Sequence, residues 1–185
     1  MNTIDRPAPP LQVDRWFNTS HAITLESLRG KVVVLEAFQM LCPGCVAHGL
    51  PQAARVHATF PHDQVSVIGL HTVFEHHAAM TPAALEAFLH EYRIAFPVGV
   101  DRAGTRGAIP QTMEAYAMRG TPTLVLIDAQ GQIRHQHFGQ VGDLVLGAQI
   151  AALVQEAQSI AALEETQSRP SAGVGCDANG CPIPA

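Results

Sequence analysis

The stretch Val32-Val33-Val34-Leu35 contains no polar residue to mark an outward face, and it runs on through Glu36, Ala37 and Phe38 toward Cys42-Pro43-Gly44-Cys45. A strand that does not alternate is covered on both sides, so the chain is restricted to a sheet enclosed between helical layers. This strand, about Lys31 to Gln39, delivers two cysteines to the mouth of a helix. Unpaired backbone N–H groups and the positive end of the macrodipole stabilise a thiolate there, and Pro43 suits the first turn because its missing N–H has no partner to lose. The arrangement reads as dithiol chemistry. The competing reading, half of a zinc site, needs a second pair at matching spacing, whereas Cys176 and Cys181 are separated by four residues.

The remaining pattern alternates strands and helices. Residues 1–13 are a Pro-rich lead-in expected to drape on the surface, with order beginning near Trp16-Phe17 and a short helical turn at Thr24–Leu28. The helix after the cysteines carries Val46, Leu50, Ala53, Ala54 and Phe60 at helical spacing, and Pro51 predicts a kink. Val65–His71 reads as a second strand, Thr81-Pro82 as the cap and first turn of a helix, and Pro97–Asp101 as a third strand. A short helix about Met113–Tyr116 precedes a strand at Thr123–Asp128, which a turn at Ala129–Gln132 joins to Ile133–Phe138 as a hairpin. A last helix, about Asp143 to Thr166, lines up Leu146, Ile150, Leu153, Ala157 and Ile160. The expected architecture is an α/β sandwich with a mixed sheet over residues 14–167, followed by a Cys-containing tail at 168–185 that is flexible by composition.

Two separated motifs, Cys42-Pro43-Gly44-Cys45 and Arg119-Gly120-Thr121-Pro122-Thr123, make residues 14–160 resemble the thioredoxin-fold superfamily, most closely its TlpA-like thiol-disulfide oxidoreductase (redoxin) branch. The resemblance implies a three-layer α/β/α sandwich with an N-terminal extension and a mid-chain insertion at His71–Asp101. It implies that Cys42 attacks and Cys45 resolves the mixed disulfide. It also implies that Pro122 is cis and exposes Thr121 to an incoming substrate strand beside Pro43 and Gly44, the bland alternative being a trans turn proline. Glu36, six residues before Cys42, matches a buried acid that relays protons to the second cysteine; burial raises such a carboxyl's pKa toward neutrality. The alternative has Glu36 facing solvent at a strand edge. Departures from the pattern are Leu41 where tryptophan is usual, Pro-Gly in place of Gly-Pro between the cysteines, His48 where some relatives carry glutamate, and Pro51 one residue later than the usual helix proline.

The chain has 185 residues, 47% apolar, with net charge −5 and scattered basic residues, which argues against nucleic acid. The first ten residues lack a secretory pattern and the apolar runs are strand-length, so the expectation is a cytoplasmic protein without membrane contact. In a reducing compartment its cysteines serve catalysis or metal binding. His71, His76 and His77, and likewise His135 and His137, lack a recognised ligand spacing, and exposed polar faces account for both sets. The expected enzyme exchanges disulfides with protein or small-molecule partners, draws electrons from an upstream thiol donor, and needs no cofactor or metal beyond its own disulfide.

Two alternatives stand beside it. One is a peroxiredoxin-like peroxidase, since Arg119 resembles a peroxiredoxin arginine although residues 37–41 offer no Pro or Thr. The other is a metal- or redox-sensing module built on Cys176 and Cys181. That pair could also form a second dithiol. A last helix of about 24 residues carries the chain about 36 Å away and eight linker residues return about 28 Å, so exchange across a homodimer is favoured over exchange within one chain.

Overall fold

In the computed structural model, which describes residues 6–168, seven strands form one mixed sheet in the order β1-β7-β6-β3-β4-β5-β2. The strands are β1 (Arg6–Pro7), β2 (Val13–Phe17), β3 (Val32–Phe38), β4 (Val65–His71), β5 (Val98–Asp101), β6 (Thr123–Ile127) and β7 (Gln132–Phe138). The helices are α1 (Leu50–Thr59), α2 (Pro82–Glu91), α3 (Gln111–Ala115) and α4 (Asp143–Ser168). The fold is thioredoxin-like, of the α/β class. Central β3 is buried along its whole length, as its unbroken apolar run demands, pairing in parallel with β4 and antiparallel with β6.

Even-numbered residues of β3 join a core with Leu50, Ala53 and Val56 of α1, Leu85 and Leu89 of α2, and Leu146, Ile150 and Leu153 of α4. Odd-numbered ones pack against Leu25, Met113, Tyr116 and Met118 on the other face. Thr81 caps α2 by accepting the Ala84 amide, with Pro82 in the first turn, as its residue types require.

Three expectations change. The lead-in is not merely draped: Arg6 and Pro7 pair with Ile133 and Gln132 at one edge of the sheet, and Val13–Phe17 covers β5 at the other. The β5 edge is thereby covered, and the β7 edge only at its first two residues. The helix after the cysteines does not simply kink at Pro51; Cys45–Gly49 form a π-helical segment in which the Leu50 amide donates to the Cys45 carbonyl, and α1 follows with Pro51 in its first turn. Finally, Asp143–Glu164 is by length and composition apolar enough to cross a bilayer, although no segment was expected to be. Its buried Leu146, Ile150 and Leu153 are used against the sheet.

His71 is the other departure. It sits fully buried at the end of β4, its ring 5.3 Å from Phe38, and both ring nitrogens lack partners. Burial pushes its pKa down to about 4, so the unfolded chain takes up a proton that the folded one refuses, and stability falls as pH drops from 6.5 toward that value. His71→Leu should remove this acid sensitivity, gaining up to about 3 kcal/mol over the wild type near pH 4 in denaturant titrations. Equal acid sensitivity in both proteins would show that the imidazole reaches solvent. His135 and His137 are likewise not free on an exposed face; both contact the Gln149 side chain beneath α4.

Candidate active site

The turn after β3 brings Cys42 to the surface and Cys45 one turn inward. Both are free thiols, Cys42 half-buried and Cys45 fully buried. The Cys45 amide donates to Cys42 Sγ at 3.2 Å, and the Cys42 thiol donates to the Thr121 carbonyl at 3.5 Å. Cys42 Sγ thus lies between a helix-start amide and the backbone of the segment expected to receive substrate. The Thr121–Pro122 peptide bond is cis. The Gly139 amide holds the Pro122 carbonyl at 2.9 Å, and the Thr123 hydroxyl donates to the Gly120 carbonyl at 2.6 Å, which fixes this loop against β7.

A Cβ at Gly44 would lie 3.2 Å from Pro122 Cδ, so a side chain beside Cys45 would press on that ring, whereas Pro43 is exposed. Leu41, in place of the usual tryptophan, is 56% exposed on the same surface.

Burial pushes the Cys45 thiol up to about 12, helped by its hydrogen bond to Cys42. A thiol so placed cannot attack at neutral pH without a base. Glu36 is 1% exposed, on the same face of β3 as the core that contains Cys45, and burial raises its carboxyl to about 8. The solvent-facing alternative is therefore excluded. Its Oε1 has no hydrogen-bond partner.

Gly49, four residues beyond Cys45 on the same helical face, carries information that the sequence alone did not reveal. A Cβ there would collide with Glu36 Oε1 and lie 3.1 Å from Pro122 Cβ. Gly→Ala inside a helix ordinarily stabilises. Here Gly49→Ala should cost about 1–3 kcal/mol through overpacking, and the same change in a Glu36→Ala background should cost much less. Additive effects in denaturant titrations would mean that the two sites do not touch.

No sequence motif marks Gln52, Arg55 and Asp143, which the fold brings together. Gln52 Nε2 donates to the Val141 carbonyl at 2.9 Å and to Asp143 Oδ1 at 2.7 Å, and Arg55 bridges both Asp143 oxygens at 3.1 Å. The signal available for them was weak, because long-range polar ties leave no periodicity in a sequence. Arg119 is exposed and lies over the Phe138 ring, 5.0 Å from its centroid. Among the described residues no cluster of three His, Cys, Asp or Glu side chains is close enough to hold a metal ion. Cys176 and Cys181 lie outside the described residues.

The profile of the AhpC/TSA family matches residues 4–136. The crystal structure of the thioredoxin-like superfamily protein SPOA0173 superimposes with a TM-score of 0.79 at 64% identity, over 80% of this chain and 96% of that one. A thiol-disulfide isomerase from Corynebacterium glutamicum gives a TM-score of 0.76 at 52% identity, with the same shares covered. The protein DipZ of Mycobacterium bovis is 30% identical over 136 residues, which is 72% of this chain but 18% of DipZ, so the chain spans less than a fifth of that relative.

Proposed function

This chain belongs to the AhpC/TSA family, and on that footing we propose that it is a thiol-disulfide oxidoreductase whose Cys42–Cys45 pair exchanges with protein disulfides. The observation that carries the reading is the setting of Cys42 Sγ between the Cys45 amide and the Thr121 carbonyl, with a buried second thiol one turn behind. Cys42 as thiolate attacks a substrate sulfur, a mixed disulfide forms, and one substrate thiolate leaves. Loss of the Cys42 charge then removes one of the influences that hold the Cys45 thiol protonated. Glu36 in its ionised form, whose share grows as pH rises toward 8, takes the Cys45 proton, Cys45 attacks Cys42, and the second substrate thiolate departs. A substrate segment pairs as an added strand with the backbone at Thr121, beside Pro43, Gly44 and Pro122. The redox centre is the disulfide itself, without cofactor or metal, and an upstream thiol donor restores the dithiol.

Arg119, which would have to face the reacting sulfur of a peroxidase, instead stacks on Phe138 and disfavours the peroxidase reading. The reading is tested in a chain whose Cys176 and Cys181 are replaced by serine, mixed in its reduced form with a chromogenic aromatic disulfide and, separately, with hydrogen peroxide. Two aromatic thiolates per chain, released in a fast and a slower phase, and much slower oxidation by peroxide are expected. Peroxide outcompeting the disulfide would overturn it.

A further inference from the structure

Glu36, on the core face of β3, forms the floor of a cleft of about 480 Å³ between the active-site helix and the loop that leads into α4. Ala47, Gly49 and Gln52 line one wall and Gly139–Asp143 the other, with His48, Arg55 and Leu144 at the mouth. Leu144 is 91% exposed. Neither Cys42, Cys45 nor Thr121 lines the cleft, so a substrate seated on those residues occupies a different surface. Gln52 ties the walls together through Val141 and Asp143, and Arg55 clamps Asp143 in turn.

We propose that this cleft is the port through which the proton accepted by Glu36 reaches water while substrate covers the front of Cys42, with Gln52, Arg55 and Asp143 as positioning residues that hold it open. The inference rests on Glu36 being the proton acceptor in resolution. In the mixed disulfide the Cys45 S–H bond breaks and Glu36 gains the proton. Cys45 Sγ then bonds to Cys42 Sγ as the bond from Cys42 to the substrate sulfur breaks, and the substrate leaves as thiolate. The Glu36 proton passes to water in the cleft, which returns the carboxylate.

An unpartnered buried carboxyl oxygen at the floor suits this role, since it has acceptor capacity that no protein group uses. The titratable or charged groups that line the cleft with Glu36 are His48 and Arg55 from the active-site helix and Asp143 from α4, and Cys45 belongs to the core on the same face of β3; in the sheet the ladder neighbours of Glu36 are Gly69 and Leu124, with His137 beyond on β7. Asp143 is paired with Arg55 and His137 with Gln149, which leaves His48 at the mouth as the ionisable side chain without a protein partner among the described residues.

The test is chemical rescue, in the chain lacking Cys176 and Cys181. Glu36→Ala should slow the second phase of thiolate release at least about tenfold. Formate should restore much of the rate, acetate less and benzoate none, because only small acids fit through the cleft to the vacated carboxylate position. Adding Ala47→Phe as a plug should abolish the rescue while leaving the rate of Cys42 alkylation unchanged. Gly142→Phe is a second plug, since a Cβ at that position meets open space and the backbone tolerates it.

Gln52→Leu, which removes both ties, should move the pH midpoint of resolution; a merely structural tie would lower stability at a constant midpoint. Should Glu36→Ala resolve at the wild-type rate, the proton-acceptor reading falls and the port with it. Slow resolution in Glu36→Ala with no rescue, or with rescue that ignores acid size and both plugs, overturns the port alone. If neither plugged protein folds, the size series of acids decides.

Discussion

Cys42→Ser is expected to abolish disulfide exchange, with turnover falling about ten-thousandfold or more, because serine offers no thiolate and every later bond depends on the first one formed at that sulfur. Cys45→Ser should behave differently. Its first thiolate should be released at close to the wild-type rate, after which the chain should remain joined to its substrate and run as a mixed disulfide on non-reducing gels. The asymmetry follows from position: Cys42 is half-buried beside a helix-start amide, while Cys45 is fully buried with its thiol raised to about 12. Timed alkylation followed by peptide mapping checks the assignment. Modification of Cys45 ahead of Cys42 in the native reduced protein would reverse the two roles.

Glu36→Gln should slow the resolving step about a hundredfold and yet stabilise the protein in alkali. The folded chain raises this carboxyl from 4.5 to about 8, so between those values the folded state keeps a proton that the unfolded state releases. Wild-type stability therefore falls as pH rises through that window, by up to about 5 kcal/mol once the buried group is forced to ionise. Glutamine carries no such penalty, although its unpartnered amide costs about 1–3 kcal/mol at every pH. The variant should thus be equal or weaker near pH 4.5 and stronger near pH 9, and denaturant titrations at the two values check the crossover. Between 4.5 and 6.5 the opposite slope from His71 partly cancels that of Glu36, so the wild type should be least sensitive to pH there. Parallel stability curves for wild type and Glu36→Gln would mean that the carboxyl is solvated.

Much of this was legible locally. The unbroken apolar run announced a central strand, Val65–His71 has the bounds that its residues suggest, and Thr81-Pro82 opens a helix as capping chemistry requires. The acid inside the strand was legible for the same reason, since a carboxylate amid Val, Leu and Ala has few ways to be anything but special. What escaped depends on distance in space. A two-residue strand such as Arg6–Pro7 has no period to read, and its pairing with β7 spans more than a hundred positions. His71 looks like an ordinary polar residue at the end of a strand until Phe38 is seen beside it. Gly49 looks like a weak point in a helix until Glu36 and Pro122 fill the volume that a methyl group would need.

The π-helical segment at Cys45–Gly49 separates two rotational settings of one continuous helix. In a regular α-helix one additional residue turns everything after it by about 100°, which would swing Leu50, Ala53 and Val56 off the sheet or carry Cys42 and Cys45 away from Thr121. A single wide turn takes up such a change of phase on the spot, immediately before Pro51 in the first turn of α1. The half of the helix that presents the thiols and the half that anchors it are thereby uncoupled in phase. Deleting one residue within the segment, rather than substituting any, is the change that would force the two halves to compete for orientation.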